Sequence, residues 1–108
     1  MTPERVALGR MLFFDTRLSA KQSMSCASCH NPALDWSDGR ATAVGHDGKV
    51  LPRATPTIVN AAFNGLQMWD GRKATLEDQV LGPFGADEQN LPLEELERRA
   101  RSSTASSR

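Results

Sequence analysis

The sequence has no excess of either charge. Thirteen Lys and Arg balance 13 Asp and Glu in 108 residues, for a formal net charge of zero. Binding to nucleic acid or to anionic lipid needs a basic surplus, so neither partner is expected. Long apolar runs are missing too. Nothing approaches the roughly 18 consecutive apolar residues of a membrane span. Met1 leads into the polar Thr2-Pro3-Glu4-Arg5, so no export signal is visible, and work outside the cytoplasm would need a targeting segment that this chain lacks. Convincing period-two alternation is absent, and no segment repeats, which leaves little room for a sheet or a solenoid. Cysteine and histidine are scarce, at two of each. What the chain does have is an ordinary globular share of hydrophobic residues, 39%, which excludes disorder throughout. One small domain is therefore expected. Domains this small often lean on a metal, a disulfide or a cofactor.

Several short helices can be placed. Thr2-Pro3-Glu4 is a helix start, with a capping hydroxyl, a first-turn proline and an acid near the positive end of the dipole. Val6, Leu8, Met11, Leu12 and Phe13 follow, predicting a short, mostly buried helix that ends near Asp15. Residues 16–25 are polar and turn-like, and the glycines and prolines of 31–56 predict a long loop. Pro56 to Phe63 reads as a short helix closed by Asn64-Gly65. Thr75-Leu76-Glu77-Asp78 opens another, stopped by Gly82-Pro83. Leu93 to Arg99 carries acids first and arginines last, as the helix dipole favours. Residues 102–108 are serine-rich and predict a disordered tail after a domain spanning 1–101. The fold class expected is all-α, with short helices and long loops.

Both cysteines fall in one motif, Cys26-Ala27-Ser28-Cys29-His30. C-x-x-C-H reads as a c-type haem attachment site. Two thiols on one helical turn can each bond a vinyl-derived carbon of the porphyrin, and the adjacent histidine can reach the iron. A redox C-x-x-C would want a thioredoxin-like βαβ context, which is absent. Zinc could recruit His30 and His46, yet the usual second ligand pair is missing. Haem also answers the need for a staple, because a porphyrin supplies a large apolar core for loops to wrap. With His30 as one axial ligand, the opposite face is open to His46, to a methionine such as Met68, or to nothing fixed. His46 sits in the glycine-flanked Val44-Gly45-His46-Asp47-Gly48. Its neutral imidazole is a suitable donor, and a mobile loop would let it leave the iron.

Residues 8–19 (Leu-Gly-Arg-Met-Leu-Phe-Phe-Asp-Thr-Arg-Leu-Ser) lead into Ser25 to His30, and further motifs follow in Asp38-Gly39-Arg40, Gly45-His46, Arg53 to Thr57, Asn60 to Asn64 and Trp69-Asp70-Gly71-Arg72. On these motifs the chain resembles the bacterial di-haem cytochrome c peroxidase family, which includes the MauG-like proteins. The resemblance covers about residues 6–90 and implies a cytochrome c-like, peroxidatic haem domain, the N-terminal one of two. Hydrogen peroxide would be reduced to water with electrons from a small cytochrome or copper protein, in the periplasm. His46 would be a displaceable distal ligand to the haem iron. Trp69 would lie between the two haems and assist electron transfer, and Glu88 would be the peroxidatic acid/base. A carboxylate over the distal face suits the proton relay that splitting an O–O bond requires.

This chain departs from the family pattern in several places. Where the family has Asn-Pro-x-Glu-Met, this chain has Gly85-Ala86-Asp87-Glu88-Gln89, keeping only the glutamate. The family's calcium-binding asparagine is Ala54 here, which leaves an interdomain calcium site without its residue. A second C-x-x-C-H is absent, so the electron-input haem would come from a second haem domain or a homodimer. Arg17, Arg53 and Arg72 are either propionate partners or ordinary surface arginines. The alternative to a peroxidase is a non-enzymatic mono-haem electron carrier with both axial positions filled. A metal-binding interaction module is a third reading.

Overall fold

The computed structural model describes residues 1–106. Its first helix, α1 (Pro3–Phe13), starts where the sequence predicts. Thr2 accepts a hydrogen bond from the Arg5 N–H at 3.2 Å, with Pro3 in the first turn and Arg10 in the last. The expectation of a mostly buried helix is not met, because no α1 residue is buried. Val6 is 55% exposed. The apolar residues of α1 are spread around the helix, so no single face can be covered by packing. Asp15 then accepts from the Arg17 N–H and starts a one-turn 3₁₀ segment at Thr16–Leu18.

The second helix, α2 (Cys26–Cys29), is a single turn. The Ser28 hydroxyl accepts from the Ser25 N–H at 2.9 Å, which fixes its entry. The long loop that follows is built from 3₁₀ turns at Pro32–Leu34 and His46–Gly48. Isolated bridges pinch it at Asn31 with Ser37 and at Val44 with Val50, and a later one joins Gln67 to Lys73. None of these extends into a sheet among the described residues.

The helix expected at 56–63 is reduced to a 3₁₀ turn at Ala61–Phe63. Asn60 just before it is left-handed, with φ 57°, and the Thr57 hydroxyl accepts from the Val59 N–H. That local side-chain bond competes with helical pairing in a stretch already rich in β-branched residues. Thr75 caps α3 (Leu76–Gln79) by accepting from Asp78 N–H at 3.1 Å. A 3₁₀ turn at Gly82–Phe84 follows.

The last helix, α4 (Leu93–Ser106), corrects the tail expectation. Residues 102–106 are helical, whereas 107 and 108 lie outside the described residues. Tertiary contact explains the extension. α4 packs on the 16–18 turn and on α1. Ser103 is fully buried, donating to Asp15 and accepting from Arg17 Nη2 at 2.9 Å. Arg99 Nη1 donates to the carbonyls of Arg17 at 3.1 Å and Ser19 at 2.6 Å. The architecture is all-α with short helices and long loops, that of a cytochrome c-like haem domain. Among the described residues only Leu18, Ala43 and Leu91 are buried hydrophobics. No described helix is long and apolar enough to cross a membrane.

Candidate haem site

α2 presents its two thiols and His30 to a cleft that holds about 660 Å³, open mouth included. Phe13, Met24, Ile58, Val80 and Pro83 line it with apolar surface, and Glu88 and Gln89 are part of its wall. The Phe13 ring lies 6.5 Å from the His30 imidazole and 5.8 Å from the Trp36 ring, centroid to centroid.

His30 is held in a defined tautomer. Its Nδ1 lies 3.1 Å from the Trp36 carbonyl oxygen. A carbonyl only accepts, so the proton sits on Nδ1 and the lone pair on Nε2 is left for a metal. Trp36 takes part through its backbone, and nothing in the sequence marked it. Its left-handed φ of 62° and that of Asp35, 55°, form the sharp turn that brings this carbonyl back to the ring.

Cys26 and Cys29 are both free thiols. Burial pushes both up from the ordinary thiol pKa. The neighbouring Cys29 adds to the effect at Cys26, and Asp38 and Glu88 add to it at Cys29. Redox-active C-x-x-C pairs need a lowered pKa, so this environment disfavours that reading. Zinc fares no better, since no group of three or more His, Cys, Asp or Glu could hold a metal ion among the described residues. The residues do fit haem. Two neutral thiols stand on one turn, the imidazole offers Nε2, and the cleft is mainly apolar.

Glu88 shares this cleft with His30. Burial raises its pKa above the ordinary glutamate value, although His30 and Arg72 pull it down. His46 is placed differently. Its backbone N–H donates to the Asp87 carbonyl at 3.0 Å, so its loop lies against the segment bearing Glu88. Gly45 makes this approach feasible, since a Cβ there would fall 1.8 Å from the Asp87 carbonyl oxygen. The His46 ring, however, turns to Asp47, with Nε2 3.2 Å from the carboxylate. Lys21 and Lys49 pin the loop through Asp47 and Asp87.

Trp69 lies outside the cleft lining and is 64% exposed. Its indole N–H donates to the Ala54 carbonyl at 2.7 Å. The next residue, Thr55, accepts from the Ser37 hydroxyl and donates to Asp38. Backbone and short side chains thus connect Trp69 to the turn that holds His30. The three arginines weighed as propionate partners are engaged elsewhere. Arg17 contacts Asp15 and Ser103, and Arg53 and Arg72 share Asp70.

The family model for di-haem cytochrome c peroxidase matches residues 3–107. The chain belongs to that family. It is 52% identical over 95 residues to the methylamine utilization protein MauG of Methylorubrum extorquens, covering 87% of this chain and 27% of that protein. It is 47% identical over 77 residues to the cytochrome c551 peroxidase of Pseudomonas aeruginosa, covering 71% of this chain and 22% of that protein. Among solved structures, a MauG-like protein associated with microbial copper homeostasis superposes with a TM-score of 0.84 at 35% identity. That match covers 98% of this chain and 34% of that one. The diheme peroxidase BthA of Burkholderia thailandensis gives 0.82 at 30% identity, covering 97% of this chain and 32% of that one. The chain therefore spans between about a fifth and a third of the length of these proteins.

Proposed function

We propose that this chain is the peroxidatic haem domain of a two-haem oxidoreductase that reduces hydrogen peroxide to water. Cys26 and Cys29 would bond haem c covalently, and His30 Nε2 would be its proximal ligand. Bound haem supplies an iron that exchanges electrons and takes up peroxide. The chain's own residues manage protons and access. Reduction of one hydrogen peroxide consumes two electrons and two protons and yields two waters, so a proton must reach the departing oxygen as the O–O bond breaks. The Glu88 carboxyl is the group for that transfer. The observation that carries this reading is the placement of Glu88 and His30 in one cleft, where burial raises the carboxyl's affinity for a proton.

His46 is assigned as the displaceable distal ligand. Support comes from its loop, which abuts the Glu88 segment while its ring is held by Asp47. Trp69 is assigned to electron entry. It is exposed, as are Phe63 at 86% and Leu66 at 59%, which leaves apolar side chains free to meet a second haem domain or a second copy of the chain. The electron donor would be a small cytochrome or copper protein, and the compartment the periplasm, where the related c-type peroxidases would work.

Peroxide turnover by the haem-loaded chain with a reduced redox-protein donor tests the assignment. Glu88→Gln is expected to lower kcat by about 10²- to 10⁴-fold. Unchanged turnover in that variant removes Glu88 as acid/base. Ready carbon monoxide binding to the reduced haem is expected, whereas a carrier with two locked ligands would resist the gas.

A further inference from the structure

Gln89 follows Glu88 directly and is 4% exposed. All four of its polar groups are engaged. Its backbone N–H donates to the Pro83 carbonyl at 2.8 Å, and its backbone carbonyl accepts from Ala20 N–H at 2.9 Å. The side-chain nitrogen donates to the Leu18 carbonyl at 2.9 Å. The side-chain oxygen accepts from the Cys26 thiol at 4.0 Å. Sulfur is a weak donor, so this is the softest of the four contacts. It is also the one that reaches the cleft's chemistry. The Leu18 bond fixes the amide plane and so aims Oε1 at Cys26. No other donor to that oxygen is found among the described residues, and a buried carbonyl without a donor is costly. Amide and thiol therefore orient each other.

Resting on the haem c reading above, we propose that Gln89 is a positioning residue for Cys26, holding Sγ at the cleft edge in the orientation from which its thioether forms. In that reaction the Cys26 S–H adds across a vinyl group. An S–C bond forms, the vinyl π bond opens, and the thiol hydrogen passes to the other vinyl carbon, with no net oxidation or reduction. Cys29 is held differently. Its Sγ lies 3.9 Å from the Val44 backbone carbonyl, which no side-chain change at position 89 touches. The two bonds should thus respond separately.

The test is peptide mapping by mass spectrometry of the haem-loaded chain, wild type beside Gln89→Met. The methionine keeps the length and bulk of the side chain and removes both polar groups. The expected result is a several-fold rise in haem bonded through Cys29 alone. A merely structural role would reduce both bonds together, so equal loss at the two cysteines, or no loss, overturns the proposal. Gln89→Glu, loaded with haem at a pH below about 4, where an ordinary glutamate is mostly the neutral acid, still donates to Leu18 and accepts from Cys26. It should keep the Cys26 bond, and its failure to do so also overturns the proposal. Should Gln89→Met not fold, Gln89→Asn, one methylene shorter, is read by the same criteria. A wild-type chain without any thioether would remove the haem c reading itself, and the role of Gln89 with it.

Discussion

Glu88 pits stability against chemistry within one side chain. Burial raises its pKa above the ordinary 4.5, so the ionised form is less comfortable in the folded chain than in the unfolded one. Its contribution to stability is fully present below the unfolded pKa and is lost as pH rises through the folded value. Glu88→Gln should therefore melt at a higher temperature than wild type at neutral pH. The difference should vanish below about pH 4, near the unperturbed glutamate pKa. Thermal unfolding at both pH values checks this, and turnover falls in the variant that gains stability. Residue by residue, the candidate site was unevenly legible in the sequence. Cys26, Cys29 and His30 were legible because one five-residue motif holds all three. Glu88 was legible only through its place in a longer pattern. Gln89 and the Trp36 carbonyl were not, since their roles depend on partners such as Leu18 and Pro83 that only the folded chain brings close.

Among the elements, α4 shows how far tertiary contact can override composition. Its serine-rich end reads as disordered, yet Ser103 is buried between Asp15 and Arg17. Arg99 supplies much of the docking by donating to two backbone carbonyls of the 17–19 turn. Arg99→Ala should cost roughly 1–3 kcal/mol, because both carbonyls lose a charged donor, and denaturant titration measures it. Acid should loosen the same helix. Hydrogen bonds from Arg98 and Arg99 lower Glu95 to about 2. At Asp15, burial works upward, but bonds from Ser103 and Arg17 outweigh it and lower the pKa. Groups depressed in this way stabilise the fold above their unfolded values and cease to do so as pH falls through the folded ones. Loss of helical circular dichroism between about pH 4 and 2 is the expected sign. The segment 56–63 erred the other way, with helix predicted and one turn found. Thr57 and the left-handed Asn60 settle that segment locally, and a window of composition does not register them.

At the scale of the molecule, the all-α class and the loop-rich outline were readable because nothing in the chain alternates and its punctuation is dense. Burial was not. Only Leu18, Ala43 and Leu91 are buried hydrophobics among the described residues, and Phe13, Met24, Ile58, Val80 and Pro83 line the cleft instead. Haem removal should therefore take away much of what the domain packs against, lowering both the melting temperature and the sharpness of unfolding. That small core also has a calorimetric meaning. Heat capacity and denaturant sensitivity both scale with apolar surface newly exposed to water. The haem-free chain should thus unfold with a heat-capacity increment below the usual ~12–15 cal/mol/K per residue. Its stability curve should be correspondingly flat, with a shallow denaturant slope, and attachment of haem should steepen both.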